Sequence, residues 1–285
     1  MNEKIIVDFI KEKDNKDVVV LNRLMGGMSN YSYVFCMDDK KYTFRIPGKG
    51  SEHFTNRVDE IEIMNIIDKY DFLPKPIYND IKTGYKIAPY VEGKVLSECV
   101  EKPLEEIAKI LKKLHGIEKF PNDYEHLKRL QYYESINDEI DPVYVDLKEK
   151  WLKIYDEILV HVELCPCHGD SQMSNFVVDN ERVYLLDWEF SANNDPLYDI
   201  ACFGNNNFED AKDLIKVYFE TVGKNEYQRL YAWRMFQCLQ WHNVARYKEK
   251  IGLSEELKVN FKVVANAYLE KAQGFFENYL EVSEK

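Results

Sequence analysis

Hydrophobic and polar positions alternate over residues 18–46, and this alternation predicts three β-strands. The three segments are VVVL at 18–21, YSYVFCM at 31–37 and KYTFRI at 41–46. A period of two is typical of strands that bury one face. The turn Asp38-Asp39-Lys40 joins the last two segments, so the chain begins as an antiparallel sheet. In the third strand, Arg45 lies on the face opposite the alternating aromatic side chains.

A helix is predicted over 55–70 by a mixed apolar stripe, and two prolines follow it. Residues 76–78 and 84–89 predict a further hairpin. The segment PYVEG at 89–93 is predicted to lead out of the sheet, and we therefore expect one lobe in residues 1–91 and a second in 92–285.

The second half of the chain has mainly helical periodicity. Helices are predicted over 104–115, 124–137, 144–162, 208–222, 226–247 and 254–285. Clear strand signals occur there at 176–178 and 183–186, around a turn at 179–180. The fold class predicted is therefore α+β, with an antiparallel first lobe and a mostly helical second lobe.

Composition and charge exclude several classes of function. The chain has 285 residues, 45% hydrophobic content and a formal net charge of -12. This charge repels phosphate backbones, which argues against a nucleic-acid partner and favours cationic ligands. No segment approaches the roughly 20 apolar residues of a membrane span, and charges interrupt the N-terminal apolar pattern. We therefore expect a cytoplasmic protein without a membrane span.

The segment 165–199 carries the strongest chemical signal. Asn175 follows Asp170 after four intervening residues, and Asp187 lies twelve positions beyond Asn175, after a short hairpin. Phosphoryl transfer by the kinase route uses such an order: a carboxylate beside the acceptor hydroxyl, then an amide and a second carboxylate on Mg²⁺. We expect His168 to be packed inward, where it would hold the loop. DxxxxN on its own occurs by chance, so the prediction depends on the combination.

The first lobe contains candidate phosphate-binding groups. The segment GGMSN at 26–30 permits close approach of the backbone to phosphates, with Ser29 as a further donor. Arg45, with Glu60 on the following helix, can form the ion pair that orients phosphates. The alternatives are an ordinary hairpin turn and an ordinary surface ion pair.

With these segments in order, the sequence resembles the choline/ethanolamine kinase branch of the aminoglycoside phosphotransferase-like kinases, especially bacterial choline kinases. The matching segments are GGMSN (26–30), FRIPG (44–48), NRVDE (56–60), HGDSQMSN (168–175) and LLDWEFSANNDPLYDIA (185–201). The resemblance covers nearly the whole chain. It implies a bilobal protein-kinase-like fold, with a nucleotide-binding lobe in 1–91 and the catalytic loop and substrate pocket in 92–285.

The resemblance also implies roles for individual residues. Asp170 becomes the base that faces the substrate hydroxyl, and Gln172 lies near the acceptor alcohol. Asn175 and Asp187 become the Mg²⁺ ligands. The ATP-binding residues implied are Gly27, Ser29, Asn30, Arg45, Glu60 and, through its backbone, Tyr90.

A quaternary ammonium substrate would need aromatic faces and diffuse negative charge. The candidate substrate-binding residues are Glu189, Phe190, Asp195, Tyr198, Asp199 and Trp241. Animal choline kinases have a second Trp three positions after the one that corresponds to Trp241. This chain has Val244 at that position. The choice between choline and a less methylated amine therefore stays open.

The function expected is phosphorylation of choline by ATP and Mg²⁺, through direct in-line transfer. Alternatives are a kinase of another cationic alcohol, such as ethanolamine, thiamine or an aminoglycoside, and a nucleotide-binding pseudokinase. The presence of Asp170, Asn175 and Asp187 argues against the pseudokinase. The oligomeric state is left open.

Overall fold

The computed structural model describes residues 2–24, 30–179 and 182–284. The chain forms two compact units: the first contains Met1–Lys102 and Met173–Phe190, and the second contains Pro103–Gln172 and Ser191–Lys285. These units differ from the expected division between residues 91 and 92. The first unit extends further along the chain and includes a later hairpin, because that hairpin pairs with a strand of the first unit.

The strands are β1 (Val19–Leu24), β2 (Asn30–Met37), β3 (Lys40–Pro47), β4 (Tyr78–Asn79), β5 (Lys86–Pro89), β6 (Lys94–Val95), β7 (Cys165–Cys167), β8 (Phe176–Asp179), β9 (Arg182–Leu185) and β10 (Ala192–Asn194). The helices are α1 (Asn2–Asp14), α2 (Arg57–Ile67), α3 (Leu104–His115), α4 (His126–Ser135), α5 (Pro142–Glu157), α6 (Pro196–Phe203), α7 (Phe208–Tyr218), α8 (Lys224–Lys250), α9 (Leu253–Leu257) and α10 (Phe261–Glu284). The α+β fold class is confirmed.

The first unit is built on a five-stranded sheet with the order β1-β2-β3-β5-β4, in which neighbouring strands are antiparallel. The predicted three-strand start and the later hairpin are both confirmed. Asp38 and Asp39 have φ values of 51° and 59°, the left-handed conformation that a tight two-residue hairpin turn requires. Phe35 and Phe44 are fully buried and pack in one core cluster with Ile6 and Ile10 of α1.

Helix α2 begins at Arg57, two residues later than predicted, because Asn56 caps it. The Asn56 side chain accepts a hydrogen bond from the backbone N–H of Val58 at 3.0 Å, which satisfies an amide that has no partner within the helix. Glu60 lies in the first turn and is buried. A second sheet of the same unit has the order β6-β8-β9.

The second unit is mostly helical, as predicted, with a short β10-β7 sheet. The segment predicted as one helix over 254–285 forms two helices, α9 and α10. Lys258 ends α9 in the left-handed conformation, with φ at 55°. Helix α6 was not predicted, because its residues after Pro196 are all buried and it has no polar face to give a helical period. In the described part of the chain, no helix combines the length and apolar character needed to cross a membrane.

Candidate active site

The loop that follows β7 is held by the carboxylate of Asp199, on α6. Asp199 accepts hydrogen bonds from the backbone N–H of His168 at 2.8 Å and from that of Gly169 at 2.9 Å. Gly169 has a φ of 78°, a conformation that glycine adopts without a steric penalty. One buried carboxylate therefore fixes two consecutive amides of the loop just before Asp170.

Asp199 keeps its negative charge in this buried position. Burial raises the pKa of Asp199, but the hydrogen bond and charge of His115, together with the amide of His168, outweigh it and lower the pKa. The His115 Nε2 atom lies 3.1 Å from the Asp199 carboxylate. The ionised form is also the one that can accept all these hydrogen bonds.

His168 is fully buried and directed inward, as predicted. Its Nδ1 atom accepts a hydrogen bond from the Asp170 backbone N–H at 3.2 Å, and its carbonyl accepts one from Ser191 Oγ at 3.0 Å. Because Nδ1 is an acceptor, the imidazole is neutral, with its proton on Nε2. The ring therefore acts as an internal brace for the loop.

Asp170, the predicted base, is 8% exposed. Its Oδ2 atom accepts a hydrogen bond from Gln172 Nε2 at 3.1 Å, and its Oδ1 atom accepts one from Cys202 Sγ at 3.6 Å. Burial and the charge of Asp170 raise the pKa of Cys202 well above its usual value. Cys202 therefore stays protonated and acts as a donor to Asp170.

In the first unit, Arg45 and Glu60 form a buried bidentate ion pair. Arg45 Nη1 and Nη2 donate to the two Glu60 oxygens at 2.6 and 2.8 Å. Lys86 and Arg57 also donate to Glu60, at 2.9 and 3.0 Å. Burial raises the pKa of Glu60, but the charges of Lys86 and Arg45 hold it well below its usual value. The alternative of a surface ion pair is therefore excluded.

The hairpin β8–β9 brings Asn175 and Asp187 next to each other in the first unit. The backbone N–H of Leu186 donates to the Asn175 carbonyl at 2.8 Å. The Asp187 side chain is 39% exposed, and Arg45 Nη1 lies 3.6 Å from its Oδ1 atom. Mg²⁺ prefers oxygen ligands such as carboxylates and amide carbonyls. Asn175 and Asp187 therefore carry the kinds of oxygen donor that a magnesium ion prefers.

Glu189 and Asn30 also belong to the hydrogen-bonded group around Arg45 and Glu60 in the first unit. Glu189 Oε2 accepts hydrogen bonds from Asn30 Nδ2 at 2.9 Å and Arg57 Nη1 at 3.1 Å. Burial and the neighbouring Asp187 raise the pKa of Glu189, against the charges of Arg45 and Arg57. Glu189 was predicted to bind the substrate, but its carboxylate bonds to Arg57 and to Asn30, a predicted nucleotide-binding residue.

For three more predicted nucleotide-binding residues, the structure describes the surroundings of Tyr90 only. Gly27 and Ser29 lie outside the described residues. Tyr90 donates its backbone N–H to the carbonyl of Lys41 at 3.0 Å. That N–H is therefore used by the sheet and does not face a nucleotide.

Three predicted substrate-binding residues are corrected by the structure. Asp195, Tyr198 and Asp199 are almost fully buried. Asp195 caps α6 and accepts hydrogen bonds from Arg229 and Trp233. The Tyr198 hydroxyl donates to Tyr124 at 2.8 Å. Their polar atoms bind protein groups, so these residues support the site and do not line a pocket.

Two predicted aromatic residues remain candidates. Phe190 is buried, and Trp241 is partly exposed on α8.

Sequence reasoning missed Arg57, although it lies within the motif NRVDE.

Comparisons with known proteins show the family and the fold of the chain. Residues 20–233 match the family described as "Phosphotransferase enzyme family". The chain is 28% identical over 251 residues to Protein LicA of Haemophilus influenzae, covering 80% of this chain and 73% of the relative.

Two solved structures share the fold. Choline kinase LicA from Streptococcus pneumoniae gives a TM-score of 0.81 at 24% identity, covering 96% of this chain and 98% of that one. A choline/ethanolamine kinase family protein from Mesorhizobium loti gives 0.74 at 24% identity, covering 93% and 92%.

Proposed function

Because this chain belongs to the phosphotransferase enzyme family, we propose that it transfers the terminal phosphoryl group of ATP to the hydroxyl of a small cationic alcohol, with choline favoured. The observation that carries the proposal is the buried Asp170 carboxylate, on a loop that Asp199 fixes. A carboxylate in a constrained loop is suited to accept a proton from an acceptor hydroxyl.

In this proposal, the first unit binds the nucleotide. Arg45, oriented by Glu60, directs its charge at the phosphates, and Arg57 and Asn30 belong to the same hydrogen-bonded group. A guanidinium held by two hydrogen bonds loses little freedom when it meets a phosphate. Asn175 and Asp187 would hold Mg²⁺, which supplies positive charge against the phosphate oxygens when bound.

The second unit supplies the base and the alcohol pocket. Asp170 takes the proton as the acceptor oxygen attacks, and Gln172 holds its carboxylate by a hydrogen bond. The acceptor oxygen bonds to the phosphorus while the bond to the ADP oxygen breaks, with no phosphoenzyme. Trp241, on α8 of the second unit, is the aromatic residue proposed to face the cationic group.

The charge of the protein favours a cationic alcohol, and one similar structure favours choline among such alcohols. The net charge of -12 attracts a cation, and the similar structure from Streptococcus pneumoniae is a choline kinase. The similar protein from Mesorhizobium loti belongs to a choline/ethanolamine kinase family, which makes ethanolamine the second candidate.

A panel of alcohols tests the proposal. The purified protein is given ATP, Mg²⁺ and one alcohol, and ADP release is followed in a coupled assay. Choline is compared with ethanolamine, thiamine, an aminoglycoside and 3,3-dimethylbutanol, which has the shape of choline without its charge. We expect the highest kcat/KM for choline and a loss of at least about tenfold for the uncharged analogue.

Each other outcome changes one part of the proposal. A higher kcat/KM for ethanolamine, thiamine or an aminoglycoside would reject choline and keep the kinase. Equal rates for choline and 3,3-dimethylbutanol would reject recognition of the cation. ATP binding without turnover on any alcohol would reject the proposed activity and favour a pseudokinase.

A further inference from the structure

In the second unit, four side chains form a continuous row of hydrogen bonds that ends at Asp170. Arg234 Nη2, on α8, donates to Asn205 Oδ1 at 2.6 Å. Asn205 Nδ2 donates to Gln172 Oε1 at 3.1 Å, and Gln172 Nε2 donates to Asp170 Oδ2 at 3.1 Å. The row therefore joins a buried guanidinium to the carboxylate of the proposed base through two amides.

The direction of the row is set at its Arg234 end. A guanidinium has only N–H donors, so the Asn205 atom that faces Arg234 must be its oxygen. The Asn205 nitrogen then faces Gln172, which must present its own oxygen in return. Gln172 is left with its nitrogen toward Asp170, where a carboxylate needs a donor. Arg234 thus fixes the orientation of a side chain that it does not contact.

The charge of Arg234 makes this arrangement energetically significant. Arg234 is 1% exposed, and within the described ranges no carboxylate lies within ion-pair distance of it. Its Nε atom is buried, and none of the residues that the structure describes accepts a hydrogen bond from it. A buried charge without a counter-ion is costly. The two aligned amide dipoles point their oxygens toward the cation and their N–H groups toward Asp170, so that each hydrogen bond strengthens the next.

We propose that Arg234 and Asn205 are positioning residues for phosphoryl transfer, which act on Asp170 by fixing the amide of Gln172. The proposal rests on the proposed function, in which Asp170 is the base. The row holds Oδ2 of Asp170 in one orientation. The other reading is that Arg234 and Asn205 only tie the segment after α6 to helix α8.

The substitution Asn205→Asp separates the two readings. A carboxylate at 205 still accepts from Arg234, and the contact becomes an ion pair, so the thermal midpoint should not fall. The carboxylate cannot donate to Gln172, which then turns its nitrogen toward residue 205 and its oxygen toward Asp170. We expect kcat to fall by about 10- to 100-fold, with KM for ATP within about twofold of wild type.

Gln237→Glu is the matched control. Gln237 Oε1 accepts from Arg234 Nη1 at 2.8 Å, so this variant places the same new charge beside the same guanidinium, outside the row to Asp170. We expect its kcat to stay within about threefold of wild type. An equal loss of kcat in both variants, or an Asn205→Asp enzyme with wild-type kcat, would overturn the proposal.

Two more variants keep the result interpretable. Asp170→Asn tests the proposed function itself: if it retains full activity, the base assignment fails, whatever Asn205→Asp does. If Asn205→Asp folds poorly, Gln172→Glu breaks the same row from its other side, because it accepts from Asn205 and cannot donate to Asp170. A kcat fall comparable to that expected for Asn205→Asp supports the row, and a wild-type kcat in a folded Gln172→Glu enzyme overturns it.

Discussion

The guanidinium of Arg45 donates two parallel hydrogen bonds to the carboxylate of Glu60, at 2.6 and 2.8 Å, and solvent hardly reaches either side chain. Arg45 is on β3 and Glu60 is in the first turn of α2. The pair therefore ties the sheet of the first unit to its main helix. It also fixes the plane of the guanidinium, which lies 3.6 Å from Asp187.

Replacing Arg45 by Lys tests the value of this planar pair. A lysine keeps the charge but cannot donate two parallel hydrogen bonds. We expect the free energy of unfolding to fall by about 1–3 kcal/mol, and KM for ATP to rise. Urea denaturation and ATP titration of the activity measure the two effects. The control is Arg182→Lys, because Arg182 forms an exposed pair with Asp71; similar losses in both variants would contradict the prediction.

Replacing Asp170 by Asn should abolish most activity and leave the fold intact. Asn is nearly the same size but cannot take a proton from the acceptor. We expect kcat to fall by about 10²- to 10⁴-fold, typical of losing a general base, with little change in the thermal midpoint. Asp213→Asn on the exposed face of α7 is the control. A variant at 170 with more than half the wild-type kcat would remove Asp170 from the mechanism.

Because His126 is buried in its neutral form, we expect the protein to lose stability in mild acid. It is buried, stacked on Trp233, and its Nε2 atom lies 2.9 Å from Asn194 Oδ1. Burial lowers the pKa of His126 to about 3, against the hydrogen bond to Asn194. The unfolded chain takes up a proton near pH 6.5 and the folded chain does not until about pH 3. Neutral His126 therefore contributes its full stabilisation above about pH 6.5. This contribution is lost progressively as the pH falls from about 6.5 to about 3.

When the pH is lowered from 7 to 5, protonation of this histidine in the unfolded chain should reduce the free energy of unfolding by about 2 kcal/mol. His126→Gln cannot titrate and can still donate to Asn194, so it should lose about that much less than wild type over the same interval. Urea denaturation at both pH values measures the difference. His161→Gln is an exposed control and should behave like wild type. Equal losses in wild type and His126→Gln would rule out His126 as the cause.

Gly93 should tolerate no side chain. Its φ is 145°, and a Cβ there would lie 2.6 Å from the carbonyl oxygen of Val178 on β8. We expect Gly93→Ala to destabilise the protein by more than 1 kcal/mol, about the cost of one strained residue plus a clash. Gly274→Ala is the matched control, since no atom of the described residues lies within 4 Å of its Cβ position, and it should stabilise helix α10 slightly. Comparable thermal midpoints for the two variants would show that β8 can move aside.

The sequence predicted the elements whose residues show a clear period. The alternation over 31–46 predicted β2 and β3, and the mixed apolar stripe over 55–70 predicted α2. Helix α6 is buried all round, and such a segment has no period to detect.

The site was predicted in part for the same physical reason. A motif gives the order of Asp170, Asn175 and Asp187, but it does not reveal whether an acidic residue is exposed. Asp195 and Asp199 were therefore assigned to substrate, although their charges are used by Arg229 and by the loop amides. The contact between Asn205 and Arg234 joins residues 29 positions apart, and neither belongs to a recognisable pattern.

The first unit is assembled from two separate stretches of chain, and this limits how the protein can be divided. A fragment that ends at Lys102 lacks β8, and its β6 loses the strand with which it pairs. Such a fragment also lacks Glu189, leaving Arg57 and Asn30 without a carboxylate that both now bind. Split reporters or separately expressed halves of this enzyme should therefore be designed with the 173–190 hairpin fused to the N-terminal piece.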